Sequence, residues 1–328
     1  MPPLLVLDLD MTTGAKEGKP LEPNAGRADA TTLTLGYGAA AIAVTIWAAW
    51  IVFTRYSVDA AEEGVALTPI DIGLLRFAAP ALLLAPVWLK VGLKPRHMSW
   101  PHLFALLGWG APFALFAAAG LQTVDSGMMG ALTPGTMPIF VALIGWLMFR
   151  ETFGRARQFG FLLIGLAVLA VVIPAVARGD EAVLRGAPYL LGAAFCWAVF
   201  TVAFRRSGLG PVEAAGIVAA WSTLFLGAAY LLVGGALPEL STQSLAGQIF
   251  SQGVLSGAIS VVTFAVAIDK LGPARAASLS ALVPVLAALM GVVFLGETLT
   301  AATTVAIFAA SFGVAFVNGA FDAFFAKR

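Results

Sequence analysis

Long apolar stretches without Asp, Glu, Lys or Arg follow one another along almost the whole chain, separated by short polar or helix-breaking connections. A helix needs about 20 apolar residues to cross a hydrocarbon core roughly 30 Å thick, because each residue advances about 1.5 Å. One stretch, 72–89, is interrupted only by Arg76 near its end. Nine others carry no formal charge: 31–54, 103–124, 126–149, 158–177, 186–204, 214–238, 240–268, 276–296 and 298–321. The pattern predicts an all-α membrane protein with ten transmembrane helices.

The connections are too short to hold a soluble domain, so we expect one membrane unit. Residues 1–32 are rich in Pro, Gly and charge and are predicted to form a disordered tail. We do not expect a signal peptide there, because the run LLVL is too short and Asp8 and Asp10 follow it.

The positive charges predict the orientation of the helices. If both termini lie on one side, the connections on that side carry 15 Lys and Arg residues and the opposite connections carry 3. Short cytoplasmic connections are enriched in these residues. The 1–32 tail and a short C-terminus, 321–328, are therefore predicted to be cytoplasmic.

The two halves of the chain repeat each other. A shift of 146 residues aligns 119–152 with 265–298 without a gap, and a shift of 150 residues aligns the first helix of each half. The informative matches are Pro138/Pro284, Glu151/Glu297, Thr152/Thr298, Trp47/Trp197 and Arg55/Arg205. We infer two five-helix repeats, 33–178 and 179–320.

Since five is odd, the second repeat must enter the membrane from the opposite side. The prediction is a 5+5 inverted-topology repeat with a pseudo-twofold axis in the membrane plane. This architecture is typical of secondary transporters, because similar halves around a midplane site can exchange which side is open. A duplicated scaffold that moves nothing is the alternative.

Composition excludes several classes of protein. Of 328 residues, 60% are hydrophobic and 11% charged, against roughly 25% charged in soluble domains. The net charge of +1 offers no basic face for nucleic acid. One cysteine, Cys196, and two adjacent histidines, His97 and His102, give neither a disulfide framework nor a metal site. We predict no catalytic residues, no metal and no cofactor.

Arg76 is the one formal charge well inside a predicted helix. A charge near the bilayer centre costs at least about 2.5 kcal/mol and usually faces a cavity or a partner. Arg76 is therefore a candidate to bind a substrate carboxylate or to lock a gate. The alternative is that it reaches the membrane surface or pairs with Asp71.

Tryptophans supply a second set of candidates. Trp88 and Trp100 lie at helix ends, as interfacial anchors do. Trp47, Trp109 and Trp197 lie deeper and are our first candidates for a flat wall that binds an apolar or aromatic substrate. Packing between helices is the alternative.

Gln252, Ser256, Ser260 and Thr263 recur at helical spacing in the eighth apolar stretch, so they share one face. Gln252, Ser256 and Ser260 are candidate substrate-binding residues, since an unpaired amide is costly in lipid and indicates a wet cavity. Such residues also allow close helix packing without any ligand, which is the alternative.

Pro138 and Pro284 remove a backbone N–H at matching places in the two halves. We predict paired hinges there, with static kinks as the alternative. Glu151 and Glu297 mark helix ends, where we expect them to cap or brace the following helix.

The sequence resembles the drug/metabolite transporter superfamily, in its EamA-type branch of ten-helix exporters. The resemblance is carried by Trp47 and Trp197, by Arg76 and by the segments 138–151 and 284–297. Within the superfamily the sequence is similar to bacterial exporters of aromatic and other amino acids. This resemblance implies export from cytoplasm to periplasm across the bacterial inner membrane by alternating access.

The expected partners are thus a small-molecule substrate and the lipid bilayer, and the oligomeric state stays open, a monomer included. Val218 stands roughly where the repeat would place a second Arg76. No Asp, Glu or His lies mid-helix and no Walker-type loop is present, which favours facilitated or weakly coupled export. A multidrug or other metabolite exporter, a channel and a membrane enzyme remain as alternatives.

Overall fold

The structure is a computed structural model that describes residues 30–59 and 64–321. Its first half begins with a long straight helix and continues through several broken ones. The helices are α1 Ala30–Val58, α2 Pro69–Leu83, α3 Ala85–Val91, α4 Trp100–Leu106, α5 Ala111–Leu121, α6 Ser126–Leu132, α7 Met137–Phe149 and α8 Arg155–Arg178.

The second half has the same order of straight and broken helices, except that its second helix is continuous. These helices are α9 Glu181–Arg205, α10 Pro211–Val233, α11 Thr242–Gln248, α12 Ser260–Leu271, α13 Pro273–Leu279, α14 Val283–Leu295 and α15 Ala301–Val317. A π-helical segment, Ile249–Ile259, joins α11 to α12.

The all-helical membrane fold is confirmed. Within residues 30–59 and 64–321, eight helical segments are long and apolar enough to cross a membrane, and the pair α2 and α3, bent by 75°, makes a ninth. The predicted tenth span corresponds to α15, which at 17 residues is at the lower limit of about 17–25. The count of ten therefore stays a prediction. Most of the 1–32 tail, together with residues 322–328 of the C-terminus, lies outside the described residues.

Polar side chains fix where several helices begin. Thr68 and Asp71 form a reciprocal capping box at the start of α2. The side chains of Asp125, Asp180 and Thr300 accept the N–H groups that would otherwise be unpaired in the first turns of α6, α9 and α15. The short polar connections thus set the helix boundaries.

Several helix pairs pack in the same way when the two halves are exchanged. In the repeat α1 corresponds to α9, and α5 corresponds to the eighth span, which ends in α12. Accordingly α1 packs on α12 and α9 packs on α5. Likewise α1 packs on α14 and α9 on α7, while α2 meets α10 and α8 meets α15. These pairs are those expected of two repeats related by a twofold axis.

Small residues allow the closest of these contacts. At the crossing of α8 and α15, a Cβ atom built on Gly160 would lie 2.7 Å from the backbone oxygen of Gly313. A backbone oxygen cannot move aside as a flexible side chain can. Gly165, on the same helix, has no atom within 4 Å of the equivalent position.

We expect Gly160→Val to destabilise the protein by about 1–3 kcal/mol, the usual cost of overpacking a tight contact. The matched Gly165→Val change introduces the same side chain on the same helix without a clash. Thermal unfolding in detergent should separate the two variants. Equal melting temperatures would contradict the close approach of α8 to α15.

Candidate functional site

A cavity of about 470 Å³ lies between the two halves and opens at one end of the bundle. We call this the open end; its lining includes Glu151, Arg205 and Asn318, where α7, α9 and α15 end. The cavity extends inward to Trp50 and Arg76. The charge distribution predicts that the open end faces the cytoplasm.

Aromatic rings form much of the cavity wall. The ring centroid of Trp47 lies 4.7 Å from that of Phe264 and 6.4 Å from that of Trp197. The ring of Trp109 lies 5.4 Å from that of Phe200. The structure thus brings the three candidate tryptophans together around one space, where they offer flat apolar surfaces to a ligand.

Arg76 lies at the inner end of the cavity and is only 2% exposed. Its guanidinium carbon lies 4.0 Å from the ring centroid of Trp50, and its Nη1 donates a 2.5 Å hydrogen bond to Ser256 Oγ. The rings of Trp109 and Phe113 are within 6 Å. Among the described residues no carboxylate is within ion-pair distance of this guanidinium.

Asp71, the partner that the sequence offered as an alternative, is used elsewhere. One of its carboxylate oxygens accepts the N–H of Thr68 at 2.8 Å and the N–H of Ala236 at 3.1 Å. The carboxylate therefore caps α2 and anchors the connection after α10. The structure does not support pairing of Arg76 with Asp71 or its reaching the membrane surface.

Three buried N–H donors around Arg76 have no hydrogen-bond partner. They are Nε1 of Trp50, Nε of Arg76 and Nε2 of Gln252. Leaving a buried donor unpaired costs about 1–3 kcal/mol. Trp50 and Arg76 line the cavity whereas Gln252 does not, and the Arg76 donor belongs to a cation, so the inner end of the cavity suits an anionic acceptor.

The polar face of the eighth span packs between helices and contacts Arg76 through Ser256. Gln252 Oε1 accepts from Thr54 Oγ at 3.3 Å, and Ser260 Oγ donates to the Ser256 carbonyl at 2.6 Å. Gln252, Ser256 and Ser260 are fully buried against neighbouring helices and do not line the cavity. The structure favours the packing alternative for Gln252 and Ser260, while Ser256 holds the guanidinium.

Trp50 and Phe113 are among the cavity residues that the sequence analysis did not select as first candidates. Trp50 follows Trp47 by three residues, so the helical period already placed the two rings on one face of α1. Phe113 stacks on Trp50, with ring centroids 5.7 Å apart. No pattern in the sequence distinguishes Phe113 from the other phenylalanines.

Pro138 and Pro284 are each the second residue of a helix, not interruptions inside one. Pro138 follows a break at 133–136, and Pro284 follows a 3-10 turn at 280–282. Near a helix start the missing N–H costs no intrahelical bond. Both prolines thus adjoin a break in their span, but whether the breaks bend during function stays a prediction.

The opposite end of the bundle is held shut by side-chain contacts; we call it the closed end. Arg55 Nε lies 3.8 Å from Glu297 Oε1, and Arg55 Nη1 donates to the Leu121 carbonyl at 2.8 Å. Glu297 accepts the N–H of Ser126 at 3.0 Å, which joins α14 to α6. None of these residues lines the cavity.

Burial raises the pKa of the Glu297 carboxyl, although the Ser126 bonds and the charge of Arg55 act in the opposite direction. Burial also raises the pKa of the neighbouring Asp125. Glu297 was expected to cap or brace the following helix, but the cap of α15 is Thr300. Glu297 instead binds across the closed end.

A family model described as the EamA-like transporter family matches the chain twice, over residues 34–173 and 184–319. Each match covers one of the two repeats found in the sequence. The match therefore supports the internal duplication independently of the packing.

Among curated proteins, the threonine/homoserine exporter RhtA of Salmonella typhimurium strain SL1344 is 32% identical over 249 residues, covering 73% of this chain and 79% of the relative. RhtA of Escherichia coli strain K12 is 31% identical over the same shares. A chloroplastic WAT1-related protein of Arabidopsis thaliana is 28% identical over 64% of this chain and 54% of its own length.

Among solved structures, one chain superposes with a TM-score of 0.56 at 19% identity, covering 85% of this chain and 95% of its own. At that identity the likeness shows the fold alone.

The direction of opening can be tested with Thr201→Cys, which lines the cavity on α9, in a Cys196→Ser background. We expect a membrane-impermeant thiol reagent to label it from the face that labels Arg96→Cys. The control Thr223→Cys lies on α10 outside the cavity and should stay unlabelled. Labelling of Thr201→Cys from the face that labels Glu181→Cys would contradict the predicted orientation.

Proposed function

The chain belongs to the EamA-like transporter family and is a transporter, not an enzyme, and on this premise we propose that it exports neutral amino acids, including aromatic ones, from cytoplasm to periplasm by alternating access. The observation that carries the proposal is Arg76, a buried cation that no carboxylate in the described part of the chain approaches within ion-pair distance, beside the unpaired Nε1 of Trp50.

The substrate's carboxylate supplies the missing negative charge. A guanidinium and a carboxylate form short, charge-assisted and often bidentate hydrogen bonds. In a site surrounded by Trp50, Trp109 and Phe113, these bonds are weakly screened. A ligand with only a positive charge would instead be repelled by Arg76.

The aromatic walls accept the rest of the molecule. The faces of Trp47 and Trp197 attract an ammonium group through their π electrons. The same faces pack against an apolar or aromatic side chain. The names of the RhtA relatives point to threonine and homoserine, and the cavity of about 470 Å³ has room for larger neutral side chains.

The direction of transport is proposed from the open end. If that end is cytoplasmic, as the charges predict, the present conformation is the one that loads substrate from inside the cell. Rearrangement of the two halves, with bending near Pro138 and Pro284, would open the closed end to the periplasm of a bacterial inner membrane. Export down the substrate's own gradient needs no proton relay among the helices.

We expect Arg76→Gln to raise the KM for threonine about tenfold or more, since a hydrogen bond to a charged group contributes about 1.5–3 kcal/mol. Counterflow of labelled threonine in proteoliposomes measures this. Arg96→Gln, in the exposed connection before α4, is the matched control and should leave the KM unchanged.

The same assay compares each amino acid with an analogue that lacks the carboxylate. Threonine should exchange faster than its methyl ester, and phenylalanine faster than phenethylamine. Equal exchange of the analogues, unaffected by Arg76→Gln, would refute the carboxylate site and favour a multidrug exporter.

Trp197→Ala removes part of the aromatic wall while leaving Arg76 in place. An aromatic pair contributes about 0.5–1.5 kcal/mol, so counterflow of phenylalanine should fall about threefold relative to that of threonine. Trp100→Ala, an exposed tryptophan outside the cavity, should change neither rate. An equal loss for both substrates would mean that Trp197 does not contact the aromatic side chain of the substrate.

A further inference from the structure

The closed end and the open end carry the same pair of residue types. Arg55 and Glu297 meet at the closed end, at 3.8 Å. The repeat aligns Arg55 with Arg205 and Glu297 with Glu151. Arg205 and Glu151 both line the mouth of the cavity at the open end, where neither has an ion-pair partner among the described residues.

The two glutamates have the same local structure. Each follows a helix that ends in a left-handed residue, Arg150 after α7 and Gly296 after α14. In each case the glutamate N–H returns to a glycine carbonyl six residues earlier, at 3.3 and 3.2 Å. Each carboxylate lies directly over that glycine, where a Cβ atom would collide with it.

The two arginines are also equivalent in place. Arg55 lies in the last turn of α1 and Arg205 is the last residue of α9. Since α1 packs on α14 as α9 packs on α7, each arginine ends a helix beside the helix that carries its glutamate. Arg206 lies with its guanidinium carbon 3.4 Å from the ring centroid of Phe149, which keeps the ends of α9 and α7 together.

One difference between the two ends is the state of the pair. The side chains of Arg55 and Glu297 are 19% and 10% exposed, whereas Arg205 and Glu151 are solvent-exposed residues. If the halves exchange conformations, the open end must acquire the geometry that the closed end has now.

We propose that Arg205 and Glu151 form the ion pair that closes the open end when the closed end opens. The two pairs are then alternatives, and each stabilises one of the two conformations. This inference rests on the alternating access of the proposed function. The match is not complete, because the shift of 146 residues aligns Ser126 with Gly272, whose N–H donates to the Ile268 carbonyl at 2.9 Å and not to a glutamate.

The test follows the exposure of a cysteine in the cavity. Val261→Cys lines the cavity on α12, and Cys196→Ser removes the native thiol. An impermeant thiol reagent is added to either face at mildly alkaline pH. Glu297→Gln weakens the closed end, so periplasmic labelling should rise about threefold, the scale of a partly exposed ion pair.

Adding Glu151→Gln to Glu297→Gln should return periplasmic labelling towards the starting rate, because the outward-open state loses its own pair. Arg205→Gln should have the same effect. In the Glu297→Gln background, the charge swap Glu151→Arg with Arg205→Glu should restore the raised labelling that either reversal alone abolishes. Glu181→Gln, an exposed carboxylate paired with Arg185, is the control and should change nothing.

Each outcome is decisive. Raised labelling that Glu151→Gln and Arg205→Gln do not reduce, or a charge swap that behaves as the single reversals, would overturn the second pair. No response to Glu297→Gln would overturn both the pair and the alternating access. Because labelling needs no substrate, a normal labelling pattern without amino-acid counterflow would leave the pair intact and refute only the proposed substrate.

Discussion

The cavity depends on one constraint, a guanidinium buried among aromatic rings with no carboxylate of residues 30–59 and 64–321 within ion-pair distance. Trp50 shields one face of Arg76 and Ser256 accepts one of its N–H groups, yet Nε stays unpaired. Charge in a membrane interior is costly unless it faces a cavity or a partner. The aromatic rings and the buried Ser256 reduce the energetic cost of burying the Arg76 charge. Because the cavity is open at one end, an anion can still reach it.

The duplicated architecture explains how the cavity can open at either end. Two repeats pack through the same helix pairs, but their connections are in different states, with Arg55 and Glu297 joined and Arg205 and Glu151 apart. The asymmetry involves helix packing as well as charge, because α6 packs closely on α14 and α15, whereas its counterpart α13 does not pack comparably on α7 and α8. A bundle of two similar halves can adopt two conformations of similar free energy, and each molecule occupies one of them at a time.

Much of this was predictable from the sequence, and the limits have physical causes. Charge-free stretches of fixed length indicated the spans, and Arg76 was noticeable because charge is rare there. The break at 133–136 was hidden, since Thr, Pro and Gly interrupt a helix without adding charge. Periodicity put Gln252, Ser256 and Ser260 on one face, but it cannot say which neighbour that face meets, and the face packs on α1 and α2. Trp50 was not selected, because residue type alone does not distinguish it from the other aromatic residues.

The central claim is that the substrate carboxylate binds Arg76, and a dipolar coupling measurement tests it most directly. Threonine labelled with 13C at its carboxyl carbon would be bound to protein whose arginine guanidinium groups carry 15N, in lipid bilayers. The account predicts a nitrogen–oxygen hydrogen bond of about 2.8 Å, which brings the labelled carbon within about 4 Å of the nitrogen and gives a measurable carbon–nitrogen coupling that Arg76→Gln abolishes. A coupling that survives Arg76→Gln, or bound threonine without any coupling to a guanidinium, would contradict it.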